Sequence, residues 1–163
     1  ETHLIYVGPC HQHGDTIIHV PKERVLFAGD VLFRQCTPMG WTGSYEKWFQ
    51  CLDLIKQLNP DVIVPGHGPL CGLEGVTEMK AYLQYVREES KKCFDAGLTA
   101  LDAAKKIDFG PYGKWNAPAR LYMNVERSYR EFRNEPADAP WNKPGTFDAI
   151  YKVAKAKGIA VEY

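Results

Sequence analysis

The sequence predicts an α/β fold, because a strand, a helix and a second strand follow one another in its first part. Ser44 is a good N-cap for the helix, and Asn59-Pro60 ends it, since proline cannot continue the hydrogen-bond ladder. The short apolar run Val62-Ile63-Val64 suits a buried strand. This order indicates a βαβ crossover. After Gly75 the pattern becomes helical.

Three short strands are predicted before the first helix. Runs rich in β-branched and aromatic residues place them at 3–7, 16–20 and 24–28. The turn Pro21-Lys22-Glu23 joins the second strand to the third. The helix that follows has apolar residues at three- and four-residue steps, namely Tyr45, Trp48, Phe49, Leu52 and Ile55.

The second half of the chain predicts a series of helices. A long one runs towards Phe94, with Val76, Met79, Leu83 and Val86 on one face. Thr99 resembles the start of a capping box for a shorter helix. Pro118 suits the first turn of a third helix, and Gly158 can end a last one. Residues 135–145 contain three prolines and are predicted to be a surface linker.

Composition excludes several classes of protein. Lys+Arg and Asp+Glu both number 20, and no basic stripe is visible, so no nucleic-acid partner is predicted. No run approaches the roughly 18 apolar residues of a membrane span, and no signal peptide is visible. The five cysteines are scattered and form no C-x-x-C pair, which argues against a disulfide framework or a Cys₄ zinc site. A reducing cytoplasm is therefore the predicted location.

Three strand ends carry side chains that can bind a metal. A glycine-containing turn follows each of these strands, at 7–15, 27–30 and 64–69. Loops at the carboxyl ends of strands are where α/β sheets place ligands, and glycine lets the backbone pass close to an ion. Imidazole and carboxylate groups suit zinc, or iron and manganese. Each turn alone is ordinary, but their joint occurrence predicts a metal site.

Residues 8–15, 25–33 and 60–69 resemble three consecutive signatures of the metallo-β-lactamase superfamily. The resemblance implies that His11 ligates one metal, that Asp30 bridges two metals as the catalytic carboxylate, and that His67 ligates the other metal. It also implies the C-terminal half of an αββα sandwich with an added C-terminal helical region. Residues 1–73 would form the partial α/β domain, and residues 74–163 would pack on it as one structural unit.

The His-x-His-x-Asp-His motif of that family is absent from these 163 residues. We therefore expect the chain to be the C-terminal part of a longer protein, to bind metal weakly or not at all by itself, and to be inactive alone. His13 is predicted to line the site or to be an exposed loop residue. Asp15 is predicted to orient a metal-binding loop, with a simple turn-former as the alternative.

The resemblance implies a zinc-dependent hydrolase that cleaves an ester, thioester, lactone or amide bond of a small molecule with metal-activated water. One alternative is a catalytically incomplete interaction domain. Such a domain would form homo-oligomers through an exposed sheet edge or apolar face. Another alternative is a mononuclear iron dioxygenase of the same fold.

Overall fold

The computed structural model describes residues 1–162 and divides the chain into two compact units. The sheet unit consists of residues 1–36 and 40–81, and the helical unit of residues 37–39 together with the chain from Tyr82 onwards. The boundary at Ala81 and Tyr82 lies inside a long helix, eight residues after the division predicted between residues 73 and 74. Packing of the two regions as one structural unit stays a prediction.

A four-stranded sheet forms the centre of the sheet unit. Its strands are β1 (His3–Tyr6), β2 (Thr16–Val20), β3 (Val25–Phe33) and β4 (Val62–His67), in the order β1-β2-β3-β4. The first two pairings are antiparallel, and β3 pairs with β4 in parallel. Helix α1 (Tyr45–Leu58) connects β3 to β4, which confirms the predicted βαβ crossover.

Two strands are longer than the sequence predicted. Strand β3 was expected at 24–28, but Arg24 has a left-handed backbone (φ 53°) and the strand continues to Phe33. Strand β4 likewise continues to His67. Pairing persists through two register shifts, with Gly29 opposite Pro65 and Phe33 opposite His67. The extension brings the end of β3 alongside the end of β4.

One face of the sheet is buried. Strand residues alternate between buried and exposed, and those facing inwards include Ile17, Leu26, Ala28 and Ile63. The apolar stripe of α1 supplies Trp48, Leu52 and Ile55, all fully buried. The Trp48 indole N–H donates to the Val31 carbonyl at 2.9 Å, so the tryptophan's polar atom is satisfied within the core.

The opposite face of the sheet is exposed and apolar. Its residues alternate with the buried residues along each strand, because successive strand side chains point to opposite faces. We call this the outer sheet face, and its large exposed side chains are Leu4, Tyr6, Ile18, Phe27 and Val62. Leu4 pairs with Ile18, and Ile18 with Phe27, so the three form a continuous row across the strands.

Helix α2 (Leu73–Asp95) begins in the sheet unit and continues into the helical unit. The helical unit also contains α3 (Ala100–Lys106), α4 (Leu121–Phe132) and α5 (Lys143–Lys157), which contact one another. The predicted cap at Thr99 is confirmed, since its hydroxyl accepts a hydrogen bond from the Asp102 amide at 3.1 Å. A 3₁₀ turn at Pro118–Arg120 leads into α4.

The predicted linker at 135–145 is too long by three residues. Helix α5 starts at Lys143 because the Asn142 side chain caps it, accepting from the Gly145 amide at 3.1 Å. Pro144 lies in the first turn, where the missing N–H costs nothing. Among residues 1–162, no helix has both the length and the apolar character needed to cross a membrane. All five cysteines are buried, and none of them is in a disulfide.

Candidate metal centre

The loop between β1 and β2 is organised around the carboxylate of Asp15. Its Oδ2 accepts hydrogen bonds from three successive amides, those of Cys10 (3.0 Å), His11 (2.6 Å) and Gln12 (2.9 Å). Further along, the carbonyl of His11 accepts from the amide of Trp41 at 2.9 Å. These contacts hold the backbone of His11 from both sides.

Asp15 also faces the His11 ring. Its Oδ1 lies 3.7 Å from Nδ1 of His11. Burial alone would raise the pKa of Asp15, but hydrogen bonds from His11, Cys10 and the loop amides outweigh burial and hold this pKa well below its ordinary value. A carboxylate on Nδ1 favours the tautomer whose Nε2 carries the free lone pair. The Nε2 atom is then available as a ligand.

The Asp30 carboxylate lies between the two predicted metal-binding histidines. Its Oδ2 is 3.7 Å from Nε2 of His11, and its Oδ1 is 3.3 Å from Nε2 of His67. The His11 side chain is nearly buried, whereas about half of the His67 side chain is exposed. The structure therefore brings these three side chains together, with one carboxylate oxygen directed towards each imidazole.

These pair distances fit ligands of a tetrahedral ion. Two ligands about 2.0–2.1 Å from zinc at the tetrahedral angle lie roughly 3.3 Å from each other. The His67–Asp30 pair has this separation, and the His11–Asp30 pair is slightly wider. Each pair offers one nitrogen and one oxygen, a donor set that suits zinc. The residues fit as two half-sites that share a carboxylate.

The same residues do not complete a cage. Within the part of the chain that the structure describes, no group of three or more His, Cys, Asp or Glu side chains is arranged to hold a metal ion. His13 is exposed, and its contribution to the loop is a carbonyl that accepts from the Tyr6 hydroxyl at 2.9 Å. Its predicted site-lining role stays a prediction.

Glycines keep the β4 turn close to Asp30. A Cβ at Gly66 would collide with Oδ1 of Asp30, so only glycine leaves the carboxylate its position beside His67. At Gly68, φ is +91° and a Cβ would collide with the carbonyl of Arg34. The Arg34 amide in turn donates to the His67 carbonyl at 2.8 Å. The turn that presents His67 is thus fixed to the end of β3.

Phe33 is a site residue that the sequence patterns did not single out. Its ring stacks on the His67 imidazole, with centroids 4.8 Å apart and planes at 15°, and its centroid lies 6.2 Å from that of the His11 ring. Phe33 therefore restricts the rotation of His67. The available signal was its place at the end of the second signature, where an aromatic residue equally suits a core position.

The region that contains this site matches a known protein family. The sequence model of the metallo-beta-lactamase superfamily matches residues 1–67, which contain the three converging side chains. The match to this superfamily covers all four strands of the sheet.

Individual relatives extend the match. The chain is 24% identical over 151 residues to the linear primary-alkylsulfatase of Pseudomonas sp. (strain ATCC 19151), covering 80% of this chain and 29% of that protein. It is 32% identical over 92 residues to the metallo-beta-lactamase type 2 of Bacteroides fragilis, covering 53% of this chain and 37% of that protein. The chain therefore spans about a third of the length of these relatives.

A solved structure shows the same fold. The crystal structure of a metallo-beta-lactamase family protein from Thermus thermophilus superposes with a TM-score of 0.63 at 19% identity, over 82% of this chain and 44% of that one. The predicted fold class, a metallo-β-lactamase-type α/β architecture with an added helical region, is confirmed.

Proposed function

We propose that the sheet unit supplies His11, Asp30 and His67 to a zinc-dependent hydrolytic site. The observation that carries this proposal is the Asp30 carboxylate, which directs one oxygen towards each imidazole at 3.7 and 3.3 Å. One zinc ion would be held by His11 and Asp30, and a second by His67 and Asp30.

Bound zinc would supply a nucleophile, since it lowers the pKa of water from 15.7 to about 7. The chain's own residues would position the reaction. Asp15 holds the His11 ring, Phe33 holds the His67 ring, and Gly66 leaves room for the Asp30 carboxylate. About half of the His67 side chain is exposed, so a substrate can approach this side of the site.

The proposed substrate is a small molecule with an ester-type bond; thioesters, lactones and amides are the wider class. Among these, sulfate esters are the first to test, because a linear primary-alkylsulfatase matches 80% of this chain. Hydrolysis of a sulfate ester requires the same two elements, an activated water and a positive centre facing the oxygens of the attacked group.

Zinc titration followed by NMR of the histidine ring nitrogens tests the metal ligands. We expect weak binding by the isolated chain, because catalytic zinc sites normally have three protein ligands on one ion and the described residues offer two. Excess zinc should shift the Nε2 resonances of His11 and His67. His3, which lies near the chain end and pairs with Glu1, is the internal control.

Two variants test the assignment of the metal ligands. Asp30→Asn should weaken the shifts at both histidines, whereas His67→Ala should leave the shift at His11. Unchanged histidine resonances in excess zinc would contradict the proposal. Two tightly held zinc ions per purified chain would contradict the expected weak binding, and iron in their place would favour the dioxygenase alternative.

The hydrolytic activity is tested with a longer protein that includes the sequence encoded upstream of this chain. The coding sequence directly upstream of Glu1 should be read for His-x-His-x-Asp-His and expressed together with this chain. We expect zinc-dependent hydrolysis of a linear alkyl sulfate or a simple ester, and its loss in Asp30→Asn. Activity that survives Asp30→Asn would exclude this site as the source of catalysis.

A second candidate function is association through the outer sheet face. The continuous apolar row of Leu4, Ile18 and Phe27 favours it, because exposed apolar patches of this kind mark interaction surfaces. Association does not exclude hydrolysis, since the metal centre lies at the strand ends and the row crosses the middle of the strands.

A further inference from the structure

Two thiols meet beneath the loop that carries His11. Cys10 precedes His11 in the chain and is fully buried, and Cys51 lies in α1 with 3% of its surface exposed. Their side chains interact with each other. The two residues come from segments 41 positions apart (51 minus 10), so the fold itself creates the pair.

Each thiol has a further polar neighbour. The Cys10 Sγ donates to Oδ2 of Asp15 at 3.1 Å, and the Cys51 Sγ donates to the carbonyl of Val7 at 3.0 Å. Cys10 is therefore part of the hydrogen-bond network that holds the His11 loop. A change at its sulfur alters one of the hydrogen bonds that Asp15 accepts.

Cys51 borders a small cavity. The cavity has a volume of about 220 Å³, and its other lining residues are Tyr6, Val7, Lys47, Gln50 and Leu54. A small oxidant fits a space of this size. Interaction with the Cys10 side chain lowers the pKa of the Cys51 thiol, burial raises it, and the Lys47 charge lowers it further.

We propose that Cys10 and Cys51 are a redox modification site at which a hydroperoxide forms an intramolecular disulfide. The Cys51 sulfur attacks the outer peroxide oxygen, the O–O bond breaks, and the departing oxygen takes the Cys51 proton and leaves as an alcohol, or as water from hydrogen peroxide. Cys10 then attacks the resulting sulfenic acid. The S–O bond breaks, the S–S bond forms, and the hydroxide leaves with the Cys10 proton as water.

In this exchange the two sulfurs lose two electrons to the peroxide. The disulfide removes the hydrogen bond from Cys10 to Asp15 and ties the His11 loop covalently to α1. The modification requires no metal. Its test is therefore independent of the proposed hydrolytic function.

Peptide mapping of the native protein tests the proposal. After peroxide treatment and alkylation of the remaining thiols, trypsin places each cysteine on its own peptide, with Cys10 on residues 1–22 and Cys51 on residues 48–56. We expect these two peptides to appear joined, with a mass about 2 Da below their sum because two hydrogens leave. Cys36, Cys71 and Cys93 are internal comparators that should stay alkylated.

Three results would overturn the proposal: full alkylation of both cysteines after peroxide, oxidation of Cys51 to sulfinic acid without the joined peptide, and a cross-link to another cysteine. In Cys51→Ser the joined product should be lost, and in Cys93→Ser, a buried cysteine of the helical unit, it should persist. The map of the unaltered chain decides the matter even where a variant fails to fold.

Discussion

At the scale of single residues, the position of the Asp30 carboxylate depends on the absence of a Cβ atom at Gly66. A Cβ there would meet Oδ1 of Asp30, and also the carbonyl carbon of Gly29 at 2.7 Å and the amide nitrogen of Asp30 at 2.8 Å. Real Cβ atoms do not approach backbone so closely, so either the strand ends separate or the carboxylate turns away. Either movement changes the His67–Asp30 pair.

We expect Gly66→Ala to destabilise the sheet unit by about 1–3 kcal/mol, the usual cost of overpacking. It should also abolish the zinc-induced shift at His67. Denaturant unfolding followed by circular dichroism measures the first effect, and the NMR titration measures the second. Gly14→Ala is the matched control, because a Cβ there meets nothing within 4 Å. Equal losses in both variants would contradict the steric account.

The sequence could predict the identities of the converging side chains but not how they are supported. Glycine-containing turns at strand ends predicted a metal site, and the resemblance to the metallo-β-lactamase superfamily implied His11, Asp30 and His67. The structure brings these three side chains together. The stacking of Phe33 on His67 was not predictable, since it depends on strand pairing between residues 34 positions apart (67 minus 33). A phenylalanine at a strand end has no local pattern that distinguishes a site wall from core.

At the scale of elements, local signals predicted the starts of α1 and α3 well. Ser44 and Thr99 cap these helices through their hydroxyls, a short-range effect that the sequence shows directly. Strand ends were predicted less well. The Gly29-Asp30 dipeptide is typical of a turn, yet β3 continues through it because β4 supplies pairing partners up to His67. Tertiary pairing overrides local preference there.

We expect Ser44→Ala to lower the free energy of unfolding of the sheet unit by about 0.5–2 kcal/mol. The Ser44 hydroxyl accepts a hydrogen bond from the Lys47 amide at 3.1 Å, and alanine leaves that amide without its partner. Urea denaturation followed by far-ultraviolet circular dichroism measures the change. Ser44→Asp preserves an acceptor and should retain most of the stability; a loss as large as that of alanine would argue against capping.

The end of α4 predicts a pH dependence. Arg133 donates to Glu135 at 2.6 Å, and Arg130 donates to its other oxygen at 2.9 Å. The hydrogen bond from Arg133 lowers the pKa of Glu135, burial raises it, and the hydrogen bond from Arg130 lowers it again. The pKa of Glu135 therefore lies below its ordinary value. A depressed pKa stabilises the folded state above the ordinary glutamate pKa of about 4.3, and the contribution is lost as the pH falls through the folded-state value.

We therefore expect Glu135→Gln to melt at a lower temperature than the unaltered chain at neutral pH, and the difference to shrink as the solution is acidified below about pH 4.3. Thermal melts in a series of buffers measure it. Glu88→Gln, at an exposed position of α2, is the control and should show no such trend. A difference that grows on acidification would have the wrong sign.

At the scale of the whole molecule, the sheet unit has a core on one side only. The buried face packs with α1, while the outer sheet face exposes apolar side chains, among them Leu4 at 72%, Tyr6 at 65% and Phe27 at 44%. Composition could not predict this, because the alternation of apolar residues along β2 and β3 does not say whether a second layer covers them. A surface of this kind stabilises association with another apolar surface.

We expect the isolated chain to form a homodimer or larger assembly, measured by light scattering with size-exclusion chromatography. Phe27→Lys places a charge at the β3 end of the apolar row, and desolvating that charge in an interface is costly, so the variant should shift towards monomer.

Leu70→Lys is the matched control, because Leu70 is 65% exposed but lies outside the strands. A monomeric unaltered chain would contradict association, and an equal shift in both variants would mean that added charge, and not the outer sheet face, controls assembly. If Phe27→Lys alone becomes monomeric while zinc still shifts His11 and His67, then association and metal binding occupy different surfaces of the same sheet.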